Sequence, residues 1–551
     1  MDKLKKIFLS LSHQERTVFL AASFLLVVGL IVSGSVIVGT VTKAIPASGG
    51  DYSEGFAGQP AFINPVLATN DADRSIIRLV FSRLSDMATK IEGSGDGKTW
   101  KVRLQEGILW SDDEKLTSDD VIFTVQRIQD PDSKSPLAPN WQNVAATRKS
   151  ELELEFSLAT PYSFFKSNLE NLYILPQHLF KNTPSANWKI SDYNLKPVGS
   201  GPYKFVEYEK RNDGFITSYH LQSNEKYFAD KPLINNFYFR FFPDAESLIK
   251  SFNSGGVDGI ANLPFGSLGE IKRTYSLIDF RMPSYYAVFM NQSRNSLLKE
   301  TAVRKALALA SPKQRMLQEI FGGKAQIDNG PIPPDALYFD PAVHGGEDVE
   351  LARKTLDDAG WKVVGESTSS ARTKTIGKNN TPLEINLTVP QIPFLAQTAK
   401  LLQESWQSIG FRVNLVSLPP EEILEGAIKN RDYEMLLFGN VLNANSDLFS
   451  FWHSSERFYP GLNLSLYSNK KADQLIEKIR KSLSLSDLTE TFNQLQEMIA
   501  ADYPAIFLYS PDYTYIANKN LKGIETKLIA EPADHLKEVA KWHLKTARVL
   551  K

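Results

Sequence analysis

Apolar and polar residues alternate with a period of two in several short runs of this chain. In 151–158, Leu152, Leu154, Phe156 and Leu158 are separated by Glu and Ser, and Trp100, Val102 and Leu104 keep the same rhythm, so both runs are predicted as half-buried strands. Beyond the second run the period lengthens. Thr117 offers an N-cap, Asp119 and Asp120 suit the positive end of a helix, and Val121, Val125 and Ile128 fall on one face. Further on, Ile385, Leu387 and Val389 read as a strand, 394–409 as an amphipathic helix closed by Gly410, and Phe411, Val413 and Leu415 as another strand. A strand–helix–strand unit of this kind makes at least one domain α/β. The segment 46–51 is small and polar and reads as a linker, and 365–381, rich in Ser, Thr, Gly, Lys and Asn, reads as an exposed loop. No fixed repeat of a solenoid or propeller is evident.

One apolar stretch is longer than any core element. Residues 17–42 carry no charged side chain, which exceeds what a helix needs to cross a hydrocarbon layer of about 30 Å. Lys3, Lys5, Lys6 and Arg16 precede it, so the positive-inside bias keeps 1–16 cytoplasmic and sends everything beyond Lys43 across the membrane. Its length exceeds the apolar core of a cleaved signal peptide, and an uncleaved single-pass anchor is expected, with cleavage after Ala44 as the alternative.

The 62 Lys and Arg against 63 Asp and Glu leave no field that would attract nucleic acid. Absence of Cys removes disulfides, thiolate metal sites, a Cys nucleophile and a lipid-modified Cys anchor. Catalytic constellations also fail. None of the seven His are spaced to grip zinc from one helix turn, 93–99 has one residue too few between its glycines for a phosphate loop, and no nucleophile elbow occurs. Asn443, Asn445 and Asp447 alternate like the first ligands of a calcium loop, but Leu448 stands where that loop requires Gly and Ser454 where it requires Glu. No catalytic residue, metal or cofactor is assigned. The aromatics carry more: Tyr285, Tyr286 and Trp452 are candidates to line a cleft and stack on a ligand.

A series of segments in order resembles the family 5 extracellular solute-binding proteins, the oligopeptide, dipeptide and nickel-binding group. Phe62-Ile-Asn-Pro-Val66 is similar to its early Asn-Pro turn, and 99–121, from Thr99-Trp-Lys-Val to Ser118-Asp-Asp-Val121, resembles its signature block. Val198-Gly-Ser-Gly-Pro-Tyr-Lys-Phe205, Pro243-Asp-Ala-Glu, Ser254-Gly-Gly-Val-Asp258, Phe289-Met-Asn291 and Val303-Arg-Lys-Ala306 continue the series. The resemblance covers about 52–523.

It implies an α/β, two-lobed periplasmic-binding-protein-like fold (type II, the class with an extra domain), preceded by the N-terminal transmembrane helix. The expected division is 1–16 cytoplasmic, 17–42 transmembrane, 43–51 linker, 52–72 with 196–270 and 513–551 as lobe I, 73–195 as the extra domain, and 271–512 as lobe II. The implied function is that of a binding protein and not an enzyme: capture of peptides or peptide-like solutes between the lobes for the permease and ATPase subunits of an ABC importer. The rival readings are a sensor or chaperone of the same fold and an extracytoplasmic hydrolase. Where peptide binders of the family carry an Asp that fixes the peptide's ammonium, this chain has Asn443. The resemblance therefore implies ligand contact through Asn443, Asn445 and Asp447, with Asp447 as the candidate replacement for the missing charge.

Overall fold

The computed structural model describes residue 10 and residues 12–551, apart from 262, 264, 265, 344, 364–370 and 443–445. The N-terminal apolar stretch is one helix, His13–Val41, long and apolar enough to cross a membrane, with its apolar window unburied by the rest of the chain.

The expected linker after it is only partly a linker. Thr42–Ala47 is a strand, paired antiparallel with Lys545–Leu550 from Thr42 opposite Leu550 to Ala47 opposite Lys545. Its partner lies at the other end of the chain, so no local periodicity announces it. Pro46 is tolerated because each strand of a two-stranded ribbon is an edge.

Two larger sheets follow. The seven-stranded sheet has the order Tyr275–Phe280, Tyr513–Asn518, Gly259–Ile260, Asp51–Ala57, Asn236–Phe242, Ile216–Ser223, Tyr203–Lys210. The six-stranded sheet runs Ala325–Ile327, Ala505–Pro511, Ser284–Met290, Met435–Val441, Glu384–Pro390, Arg412–Leu418. Strand Tyr275–Phe280, inside the 271–512 expected to form lobe II, hydrogen-bonds along Tyr513–Asn518 in the seven-stranded sheet. Its membership is decided by a partner more than two hundred residues away, which local patterning does not reveal.

Local chemistry explains the elements that position the cleft. Helix Pro393–Ser408 links the parallel strands Glu384–Pro390 and Arg412–Leu418, with Gly410 at φ +96° turning the chain out of the helix. Helix Ser118–Gln129 starts on a capping box in which Thr117 and Asp120 satisfy each other's backbone N–H groups. Strands Ala88–Gly93, Thr99–Leu104, Glu153–Leu158 and Val144–Arg148 form a separate four-stranded antiparallel sheet, and 94–98 is the turn of its first hairpin. In the segment read as an exposed loop, Arg372–Ile376 and Asn379–Pro382 pair as a hairpin with Gly377 at φ +65°. Polar residues on both faces of that hairpin conceal its period.

The six-stranded sheet separates two apolar cores, because successive side chains on a strand face opposite ways. Along Ser284–Met290, Val288 and Met290 enter one core, whereas Tyr285, Ala287 and Phe289 enter the other.

Candidate functional site

The chain crosses between the two large sheets twice, side by side. The first crossing is 281–283, between strands Tyr275–Phe280 and Ser284–Met290; the second is the single residue Asp512, between Ala505–Pro511 and Tyr513–Asn518. Ser510 stitches the crossings together: its hydroxyl donates to the Ser284 carbonyl and lies 2.8 Å from Asp328 Oδ2. Asp328 is wholly buried, and that desolvation pushes its carboxyl up to about 8. Beneath it, Lys313 Nζ donates to Asp328 O at 2.8 Å and Asn329 Oδ1 at 2.9 Å.

Above these crossings opens a cavity of about 250 Å³. Ser284, Asp512 and Thr514 come from the crossings and the strands they join, Leu263 from the side of the seven-stranded sheet, and Tyr286, Ile392, Phe438, Gly439 and Asn440 from the side of the six-stranded sheet. Tyr286 stands opposite Gly439, and its ring covers that position so closely that a β-carbon there would sit 2.8 Å from the ring. Glycine thus lets the phenol lie flat on the neighbouring strand. Phe394 meets the same ring edge-on, at 5.2 Å between centroids. Burial pushes the Tyr286 phenol up to about 12, so it is a neutral hydroxyl at the cavity wall.

The structure disperses the residues named from sequence. Tyr286 reaches the cavity. Tyr285 does not: one step along the strand it faces the opposite core, wholly buried, and its hydroxyl receives a hydrogen bond from Asn440 Nδ2 at 2.9 Å. Trp452 is also wholly buried, packed against Phe289, Phe507 and Tyr467. Both are core residues, and for Tyr285 the reason is that two adjacent strand positions, 285 and 286, cannot share one face. Asn443 and Asn445 lie outside the described residues.

Asp447 is committed elsewhere. Arg480 Nε stands 3.2 Å from Asp447 Oδ2, and Tyr162 donates its phenol to the same oxygen at 2.8 Å. The Arg480 guanidinium lies over the rings of Phe449 and Tyr162, 4.4 Å and 4.9 Å from their centroids. This cluster ties the segment carrying the four-stranded sheet to the helical side of the other sheet. The charge of Asp447 thus faces the Arg480 guanidinium.

Sequence reasoning missed Asp512, Gly439 and Asn440. A signal for Asp512 was present: it is the single charged residue in 505–518, where uncharged strand residues flank it on both sides. Among the described residues, no group of three or more His, Asp and Glu side chains converges as a metal site would.

The family model for bacterial extracellular solute-binding proteins, family 5 (middle), matches residues 84–458, more than half of the chain. The oligopeptide-binding protein AppA of Bacillus subtilis is 25% identical over 520 residues, covering 91% of this chain and 92% of the relative. The solved structure of that AppA in complex with a nonapeptide superposes with a TM-score of 0.73 at 24% identity, over 91% of this chain and 100% of the other. NikZ from Campylobacter jejuni, in complex with Ni(L-His), superposes at 0.75 with 23% identity, over 90% of this chain and 99% of the other.

Proposed function

This chain belongs to the family 5 bacterial extracellular solute-binding proteins, and from that premise we propose that it is the substrate-binding component of an ABC importer, capturing peptides or peptide-like solutes between its lobes. The observation that carries this reading is the position of the cavity, directly over the two crossings that join the sheets. A solute held there touches both bodies, and contact with both is what couples binding to closure about a hinge. Crossings as short as 281–283 and Asp512 alone suit a hinge, since few dihedrals need to change.

In this reading lobe I comprises 52–72, 196–270 and 513–551 together with Tyr275–Phe280, the extra domain 73–195, and lobe II the remainder up to 512. The helix His13–Val41 is the single-pass anchor, with 1–16 cytoplasmic and the lobes outside. Permease and ATPase subunits are separate chains that receive the closed form. Names of relatives favour peptides, and the mixed wall of the cavity, apolar with Asn440, Ser284 and Thr514 among it, suits a backbone-bound ligand.

The test is native mass spectrometry of the purified full-length protein in detergent, followed by denaturing release of whatever small molecule accompanies it. Intact short peptides are expected. A sugar or a metal chelate in their place removes the peptide assignment, and a substrate–product mixture restores the hydrolase reading.

A further inference from the structure

Among the residues lining the cavity over the crossings, Asp512 alone carries a charged side chain. Its carboxylate has no hydrogen-bond or ion-pair partner among the described residues, whereas its neighbours are matched. Asp279 holds Lys324 Nζ at 2.6 Å, and Asp335 holds Arg281 Nη1 at 3.0 Å. The group thus contains three carboxylates and two cations, and the unmatched carboxylate is the one on the cavity wall.

We infer that Asp512 receives a positively charged group of the captured solute, so that the ligands are solutes bearing a protonated amine, held with that amine against the crossing. The inference rests on the reading of this cavity as the ligand cleft. Desolvation, with Asp279 and Asp335 nearby, raises the Asp512 carboxyl above the ordinary carboxylate range, against the opposing pull of Arg281 and Lys324. An ionised carboxylate there is costly while the cleft is empty, and an entering ammonium removes that cost. Asp447 offers no competing site, being paired with Arg480. As Asp512 is the whole of the second crossing, an ammonium bound to it lies where the two sheets join.

The experiment is isothermal titration of the full-length protein in detergent with alanine peptides of two to five residues, each as the free amine and as its N-acetyl form. Wild type should bind at least one free amine about tenfold or more tighter than its acetylated counterpart, the range expected for a charge-assisted hydrogen bond. Asp512→Asn should abolish the preference without lowering the melting temperature, and Asp512→Glu should keep it. Equal binding of both forms by wild type, or a preference that survives Asp512→Asn, overturns the assignment to Asp512 and leaves the cleft reading standing. Failure of every peptide to bind wild type, together with no recovered peptide, overturns the cleft reading and this inference with it.

Discussion

At Gly199 a β-carbon would lie 1.9 Å from the carbonyl oxygen of Val80, the last residue of helix Asp71–Val80. The obstacle is backbone and cannot rotate away, so Gly199→Ala should destabilise the protein by about 2 kcal/mol or more, read as a lowered melting temperature. Asp447→Ala should also lower it, by about 1–2 kcal/mol, because Arg480 and the Tyr162 phenol lose their partner in a half-buried setting. If Asp447 held the ligand, affinity would fall together with stability; the expected result is a stability loss with little change in affinity.

His535 supplies a pH prediction. Its ring is wholly buried, with Nδ1 2.7 Å from Pro532 O and Nε2 3.0 Å from Glu54 Oε1. Burial pulls the imidazole down, but the Glu54 charge and hydrogen bond, with the Pro532 carbonyl, outweigh it and raise the group above its ordinary 6.5. A raised histidine stabilises the folded state fully below its unfolded value and loses that contribution as pH rises through the folded value. The melting temperature should therefore fall as pH rises from about 6.5 into that window. A flat profile, or the same slope in His535→Gln, would show that this residue is not the source.

Among the elements, the ribbon of Thr42–Ala47 with Lys545–Leu550 changes how the N-terminal helix joins the body. Six unpaired residues from 43 to 48 would let the body wander by roughly 20 Å, whereas the ribbon fixes the exit of the helix to strand Lys545–Leu550. The Lys551 amide donates to Val41 O at 2.9 Å, and Arg548 Nη1 to Thr42 Oγ1 at 3.1 Å. Truncation after Leu544 should release 42–48 to rapid protease cleavage while the body melts within a few degrees of wild type. Equal cleavage rates in the two proteins would mean that the ribbon does not hold in solution. The hairpin at 372–382 and the ribbon share one reason for escaping sequence reasoning: neither has a buried apolar face, so neither has an apolar period to read.

For the whole molecule, the two short crossings make closure the expected response to ligand. A solute recovered with the protein, added back at a hundred times its dissociation constant, should stabilise the folded state by about 2.7 kcal/mol. Small-angle scattering should show a smaller radius of gyration on the same addition. Stabilisation without compaction would point to a cleft that binds without moving the lobes.

The α/β character, the capped helix after Thr117, the strand–helix–strand unit and the membrane-length helix were all legible, because each is set by residues within one or two turns of each other. So was the family resemblance, carried by turn glycines and an ordered series of short segments. The sheet to which Tyr275–Phe280 belongs was not, nor was the partner of Thr42–Ala47, since strand pairing is decided by chain that lies hundreds of residues away. The same holds for the site. Tyr285 and Tyr286 are neighbours in sequence and opposites in space, Asp447 is one acid among many in sequence and one half of an ion pair in the fold, and Asp512 becomes a cavity wall only once both sheets it joins are in place.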